Sequence, residues 1–245
     1  MATIQNKLFL LFLISSCELL VSCSESREIM NDPVDIVVEE EEETFTDTLS
    51  YLALGDSYTI GQGVLDEAGR WPNQLGKKLE ENGYKISPIN IIAKTGWSTG
   101  KLLEAIETSS PENHDLVSLL IGVNNQYQGV PFEVFQTEFD SLLNISLELS
   151  GAGKKVFVVS IPDYSVTPFG ASNSEQIAAE IDMYNDYIEQ RCMALDIPFI
   201  NVTEISRQLG NSSGALVVDN LHPSASQYAQ WVNLIHPVVR DLITE

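Results

Sequence analysis

Residues 50–58 read Ser50-Tyr51-Leu52-Ala53-Leu54-Gly55-Asp56-Ser57-Tyr58, so a short apolar run is followed by a glycine and two polar residues. An apolar run without polar alternation is typical of a parallel strand that is buried on both faces. Gly55 permits a tight turn at the end of that strand. The stretch therefore predicts a buried strand over 50–54 that places Ser57 at one edge of a sheet. A serine there is either a nucleophile or the capping residue of a turn or helix, and the motif alone favours the cap.

Four more apolar runs of strand length follow along the chain, at 86–93, 116–121, 156–161 and 197–202. Segments with helical spacing of apolar residues lie between and after them, at 71–81, 99–107, 132–149, 174–195 and 224–242. Regular alternation of strands and helices predicts an α/β fold, with an open parallel sheet covered by helices on both faces. In such folds the functional side chains gather at the carboxyl ends of the strands.

The charge and cysteine content exclude several classes of partner and site. The 245 residues include 35 acidic and 13 basic side chains, for a net charge of -22, which repels phosphate backbones and argues against a nucleic-acid partner. The three cysteines, at positions 17, 23 and 192, form neither an even set nor a C-x-x-C pair. A disulfide framework, a zinc site and a redox site are therefore not expected.

The first 48 residues predict an export signal and a spacer. Lys7, an apolar stretch over 8–14 and then small residues are the layout of a secretory signal peptide over 1–22. Leu20-Val21-Ser22-Cys23 resembles a bacterial lipobox, which implies lipidation of Cys23 and anchoring in the bacterial cell envelope; a plain secretory peptide is the alternative. Ten acidic residues and one basic residue between 24 and 48 predict a disordered acidic tether over 23–48, before a domain over 49–245.

Polar residues at three further points complete a set of catalytic candidates. Asp219 precedes His222 by three residues just before the last predicted helix, so its carboxylate can orient the imidazole of a general base; a surface loop is the alternative. Gly96 and Asn124 follow the second and third strands, where a glycine amide and an Asn side chain can serve as oxyanion donors. Each alone is more often a turn residue, but their order along the chain favours a site.

In this order the residues resemble the SGNH or GDSL-type hydrolase superfamily of esterases and lipases. The resemblance spans 49–245 and implies a three-layer α/β/α sandwich with five parallel strands in a flavodoxin-like order. It implies Ser57 as nucleophile and oxyanion donor, Gly96 and Asn124 as further donors, Asp219 as orienting acid and His222 as base, with neither metal nor organic cofactor. The other two histidines, His114 and His236, are expected to be structural or solvated.

Two residues depart from the superfamily's pattern. Tyr58 replaces the usual Leu and has no evident chemical role, and Asn125 stands where many members have Asp. The segments 61–65 and 162–170 are expected to wall the pocket, whereas Trp71 is expected to pack in the core.

The implied activity is that of a serine esterase acting on carboxylic esters, with short acyl or acetyl groups carried on a small molecule, a carbohydrate or a lipid. Two alternatives remain open: an O-acyltransferase that uses the same site, and a non-catalytic carbohydrate-binding module on the same fold. The net charge of 49–245, with 24 acidic and 11 basic residues, is -13 and disfavours anionic substrates. The oligomeric state is not indicated by the sequence.

Replacing Cys23 by Ser is expected to abolish detergent partitioning and globomycin-sensitive processing, because stable anchoring needs acyl chains attached to that thiol. Cys17→Ser is the matched control, since it removes a nearby thiol and leaves the predicted lipobox intact. Membrane fractionation of the Cys23→Ser protein that equals that of the wild type would contradict lipid anchoring at this residue.

Overall fold

The first strand, β1, covers Asp47–Gly55 and lies inside a five-stranded parallel sheet. The computed structural model describes residues 47–153 and 155–244. The other strands are β2 (Tyr84–Ala93), β3 (Leu116–Leu120), β4 (Val156–Val159) and β5 (Phe199–Ile200). Their order across the sheet is β2-β1-β3-β4-β5, with every neighbouring pair parallel. The predicted α/β class, strand number and flavodoxin-like order are confirmed.

Helices cover both faces of this sheet. They are α1 (Ser57–Ile60), α2 (Trp71–Glu80), α3 (Thr99–Ser109), α4 (Val123–Tyr127), α5 (Phe132–Leu149), α6 (Ser174–Ala194), α7 (Thr203–Leu209) and α8 (Ala225–Thr244). Helices α2 and α8 pack against each other, and α5 packs against both α3 and α6, which gives the three layers. The five predicted helices are present within two residues of their expected ends. The short helices α1, α4 and α7 were not predicted.

The strands differ in burial according to their place in the sheet. Every residue of β3 and β4 is buried, as expected for strands with helices on both faces. The expectation fails for β2, which lies at the edge and exposes several side chains. Its pairing with β1 shifts register between Leu49 and Tyr51, opposite a segment that contains Pro88. Proline cannot donate to a strand ladder and is tolerated at such an edge irregularity.

Aromatic side chains fill much of the core. The Trp71 indole is fully buried and meets the Phe157 ring edge-on at 6.3 Å, so its predicted packing role is confirmed. Between α5 and α6, the Phe135 and Tyr184 rings lie 4.3 Å apart. The Cys192 thiol is also buried, and burial raises its pKa to about 12, in keeping with the inert thiol expected of a buried cysteine.

The N-terminal predictions lie almost wholly outside the described residues. These are the signal peptide over 1–22, the lipidated Cys23 and the acidic tether, of which only residues 47 and 48 are described. Both belong to β1, so the first strand begins two residues before the predicted domain boundary. Across 47–153 and 155–244, no helix has the length and apolar character needed to cross a bilayer.

Replacing Gly55 by Ala should destabilise the protein by at least about 1–3 kcal/mol, the usual range for overpacking. An added Cβ would overlap the Thr59 hydroxyl and the Leu120 carbonyl oxygen. Chemical unfolding measures the loss. Gly153→Ala is the matched control, because a Cβ there meets only the Lys155 side chain, at 3.7 Å or more. Equal unfolding free energies for the two variants would contradict this account of the β1 end.

Candidate active site

Ser57 lies at the carboxyl end of β1, as predicted, and is the first residue of α1. The N-cap of this helix is Asp56, whose Oδ1 accepts a hydrogen bond from the Tyr58 amide at 3.0 Å. The interpretation of Ser57 as the cap is therefore wrong. Its hydroxyl lines a pocket above the sheet and has no hydrogen-bond partner among the described residues.

Asp219 fixes both the ring and the backbone of His222. Its Oδ2 lies 2.7 Å from the imidazole Nδ1, and its Oδ1 accepts from the amides of His222 and Leu221 at 3.0 and 2.9 Å. Partial burial opposes ionisation of Asp219, but these hydrogen bonds outweigh it and lower the pKa of the carboxyl. With Nδ1 directed at Asp219, the imidazole Nε2 is the nitrogen left for the pocket that His222 and Ser57 both line.

Tyr58 has a packing role that the sequence did not reveal. Its buried ring lies 5.5 Å from the His222 imidazole and 6.3 Å from the Trp231 ring. Its carbonyl accepts a hydrogen bond from the Tyr228 hydroxyl at 3.0 Å, which ties α1 to α8. The side chain next to Ser57 therefore forms the surface against which the histidine ring rests.

Gly96 and Asn124 line the same pocket as Ser57. Gly96 has a φ of +83°, which favours glycine, and no described residue accepts its amide N–H. The Asn124 Nδ2 donates to the Trp97 carbonyl at 3.0 Å and has a longer contact of 3.5 Å with Asp56 Oδ2. The contact with Asp56 is the weaker of the two hydrogen bonds, so it is the one that a ligand oxygen in the pocket would replace.

Asn125, which stands where the superfamily's pattern often has Asp, makes two hydrogen bonds to Thr99. Its Oδ1 accepts from the Thr99 amide at 3.0 Å and its Nδ2 donates to the Thr99 hydroxyl at 2.6 Å. That hydroxyl in turn donates to Glu138. An amide satisfies both Thr99 contacts at once, and the pair is buried where an unpaired polar group would be costly. Asn125 therefore joins α4 to the start of α3.

The pocket has a volume of about 220 Å³ and a predominantly apolar lining. Besides Ser57, Gly96, Asn124 and His222, the residues that line it are Tyr58, Thr95, Val123, Tyr127, Tyr164, Phe169 and Leu221. The expected wall over 162–170 is present through Tyr164 and Phe169. The other expected wall, 61–65, does not line it; Gly63 lies against the Val217 side chain instead. Tyr127 was missed because its exposure and pairing with Phe169 are tertiary features.

Asp56 is a buried carboxyl directly behind Ser57 and Asn124. Burial raises its pKa to about 7, and hydrogen bonds from Tyr58 and Asn124 offset only part of that effect. Its side chain does not line the pocket. Its contacts give it the role of capping α1 and of accepting from the Asn124 amide.

The two remaining histidines lie elsewhere, as expected. His114 is buried, with Nε2 2.8 Å from the Asn90 side chain and Nδ1 2.8 Å from the Glu112 carbonyl oxygen. His236 lies on α8, where partial burial lowers its pKa. Neither lines the pocket.

Comparison with known proteins agrees with this arrangement. Residues 53–230 match the GDSL-like lipase/acylhydrolase family, which is well over half of the chain. The chain belongs to that family. This GDSL-like protein is accordingly an ester-hydrolysing serine hydrolase.

Individual relatives are distant in sequence but similar in fold. The chain is 24% identical over 196 residues to esterase TesA of Pseudomonas aeruginosa, covering 78% of this chain and 88% of that protein. A crystal structure of TesA has a TM-score of 0.60 at 20% identity, covering 79% of this chain and 99% of that chain. The lipase Lip_vut3 from a goat rumen metagenome has a TM-score of 0.63 at 21% identity, covering 77% and 96%.

Replacing Asn125 by Asp should destabilise the GDSL-like protein by about 1–3 kcal/mol, because two carboxylates would then compete for the single Thr99 hydroxyl proton. A second change in the same protein, Glu138→Gln, should restore most of the lost free energy of unfolding. The glutamine NH₂ would donate to the Thr99 hydroxyl, and that hydroxyl would donate to the aspartate at position 125. Unfolding free energies of both single variants and the double variant measure the coupling. Additive effects of the two changes would contradict the proposed chain of hydrogen bonds.

Proposed function

We propose that this protein hydrolyses uncharged carboxylic esters with small acyl groups, through an acyl-enzyme on Ser57. One observation carries the proposal: Ser57, His222, Gly96 and Asn124 come from four separate segments and line a single apolar pocket. Their chemistry is that of a nucleophile, a base and two oxyanion donors. The family membership supports ester hydrolysis, and the roles of the individual residues are part of the proposal.

In the first half-reaction the Ser57 hydroxyl attacks the ester carbonyl carbon and His222 Nε2 takes its proton. The carbonyl oxygen becomes an oxyanion held by the amides of Ser57 and Gly96 and by the Asn124 N–H that otherwise makes the 3.5 Å contact with Asp56. Asp219 stabilises the imidazolium through its 2.7 Å contact with Nδ1. Collapse breaks the bond to the alcohol, which leaves with the proton from His222.

In the second half-reaction water replaces the alcohol. His222 takes a proton from the water as its oxygen attacks the acyl carbonyl, and returns that proton to Ser57 Oγ as the carboxylic acid leaves. Each proton taken by the imidazole is given back, so the side chains end in their starting state.

The pocket favours a small, uncharged acyl group. Its volume of about 220 Å³ is below the roughly 300–1,000 Å³ that drug-sized ligands occupy. Tyr58, Val123 and Leu221 give it apolar walls, and no Lys or Arg among the described residues lines it. A charged acyl group would lose its hydration there without gaining a counter-ion.

We also propose that the protein is exported and held in the bacterial cell envelope by a lipid on Cys23. The support is the sequence layout of 1–23 together with the acidic segment that follows it. Such a spacer would hold the hydrolase domain away from the membrane to which its N-terminus is attached.

Ser57→Ala should remove nearly all hydrolysis of p-nitrophenyl butyrate, because the variant lacks the hydroxyl that is proposed to carry the acyl group. Asn124→Ala should reduce kcat by about 10² to 10³, the usual loss for one oxyanion donor. Thermal unfolding of each variant controls for folding, and Ser141→Ala, at a half-buried position on α5, is a control outside the pocket. A Ser57→Ala protein with wild-type turnover would rule out this mechanism.

Hydrolysis should fall as the pH is lowered, because protonated His222 cannot accept the Ser57 proton. Protonation of Asp219 near neutral pH does not cause this loss, since the pKa of that carboxyl lies below the ordinary aspartate value. Asp219→Asn should cost up to about 10⁴ in kcat by favouring the wrong tautomer. His114→Gln and His236→Gln should keep the acid limb of the profile of kcat against pH, and a limb that moved with either would contradict His222 as the base.

A further inference from the structure

A second cleft adjoins the pocket and shares three aromatic side chains with it. The cleft has a volume of about 450 Å³, and Tyr127, Tyr164 and Phe169 line both cavities. The rest of its lining is Gln126, Gly129, Ser172, Asn173, Gln176, Ile177 and Glu180. The catalytic pocket is thus apolar, and its neighbour is rich in amides, a hydroxyl and a carboxylate.

Two of the shared aromatic residues, Tyr127 and Phe169, form an exposed ridge between the two cavities, whereas Tyr164 is buried. The Tyr127 and Phe169 rings lie 5.7 Å apart, with relative exposures of 59% and 48%. Exposed large apolar side chains beside a cavity mark a binding surface more often than isolated ones do. A ligand that lies across this ridge has its reacting end in the pocket and its other end in the cleft.

The floor of the cleft is a fixed chain of hydrogen bonds. The Tyr164 hydroxyl donates to Gln126 Oε1 at 2.7 Å, and Gln126 Nε2 donates to Glu180 Oε2 at 2.7 Å. The other carboxylate oxygen accepts from Gln176 Nε2 at 2.8 Å. Because each member orients the next, the polar groups are held in place before a ligand arrives.

Several groups on the rim of the cleft still have hydrogen-bonding capacity. Among the described residues, no hydrogen bond uses the Ser172 hydroxyl, the side-chain amide of Asn173 or the Gln176 Oε1. Together they offer neutral donors and acceptors within one cavity. Within 47–153 and 155–244 no Lys or Arg lines the cleft, so these residues offer an anionic ligand no counter-ion there.

We propose that this cleft binds the alcohol part of the ester, and that this alcohol is a neutral, hydroxyl-rich group such as a sugar. The inference rests on the proposed ester hydrolysis at Ser57. Hydroxyl groups match the unused donors and acceptors of the rim, and the C–H faces of a sugar ring match the negative faces of the Tyr127 and Phe169 rings. Both oxygens of Glu180 already accept from amides, which leaves the carboxylate less suited to a cationic alcohol.

The test compares three butyrate esters that differ only in the alcohol: methyl 6-O-butyryl-glucopyranoside, cyclohexylmethyl butyrate and butyrylcholine. The kcat/KM for the glucoside is expected to exceed that for the cyclohexylmethyl ester by at least tenfold, mostly through KM. Equal values for those two, or a preference for butyrylcholine, would overturn the inference while leaving ester hydrolysis intact. If none of the three esters were cleaved, the proposed function itself would be overturned.

Variants locate the effect in the cleft. Asn173→Ala and Gln176→Ala, which do not line the catalytic pocket, should each lower the ratio of glucoside to cyclohexylmethyl kcat/KM by about threefold or more. Asn144→Ala, on an exposed part of α5, is the matched control and should leave the ratio as it is in the wild type. A glucoside preference that survives both cleft variants would place its origin outside this cleft and overturn the assignment.

Discussion

The register of three neighbouring strands is the constraint on which the site depends. Gly55, at the end of β1, pairs with Ala93 on one side and with Leu120 on the other. The three strands therefore end at the same level, and the chain leaves them toward Ser57, Gly96 and Asn124. Gly55 lies so close to Thr59 and Leu120 that an added Cβ would have to displace them. The strand register at Gly55 thus brings together Ser57, Gly96 and Asn124, which are far apart in sequence.

Helix α4 then fixes the loop that carries Gly96. Asn124 donates to the Trp97 carbonyl, Gln128 donates to the Gly96 carbonyl at 3.0 Å, and Asn125 holds Thr99 by two hydrogen bonds. These contacts fix the peptide units around the candidate oxyanion donors before any substrate binds. Preorganised donors stabilise a developing charge without the cost of reorienting during the reaction. Asn125, in place of the usual Asp, is therefore one of the residues that hold the loop carrying Gly96.

His222 lines the same pocket as Ser57 although it lies near the C-terminal end of the sequence. Asp219 holds its ring and its amide, and the Tyr58 ring packs against the imidazole. The Tyr228 hydroxyl on α8 donates to the Tyr58 carbonyl, so the helix after the histidine is bound to the helix that begins with Ser57. The Tyr58 side chain thus contributes both to core packing and to the position of His222, the proposed base.

The sequence by itself determined the strands, the larger helices and the identity of the candidate site residues. Apolar runs such as 116–121 and helical spacing such as 132–149 reflect burial patterns that are local in the chain, so their elements could be predicted within a few residues. Only the tertiary structure decided the roles of Tyr58 and Asn125, the exposed pairing of Tyr127 with Phe169, and the edge position of β2. The physical reason is that these properties depend on contacts between distant segments, which strand order and register create and which no local pattern encodes.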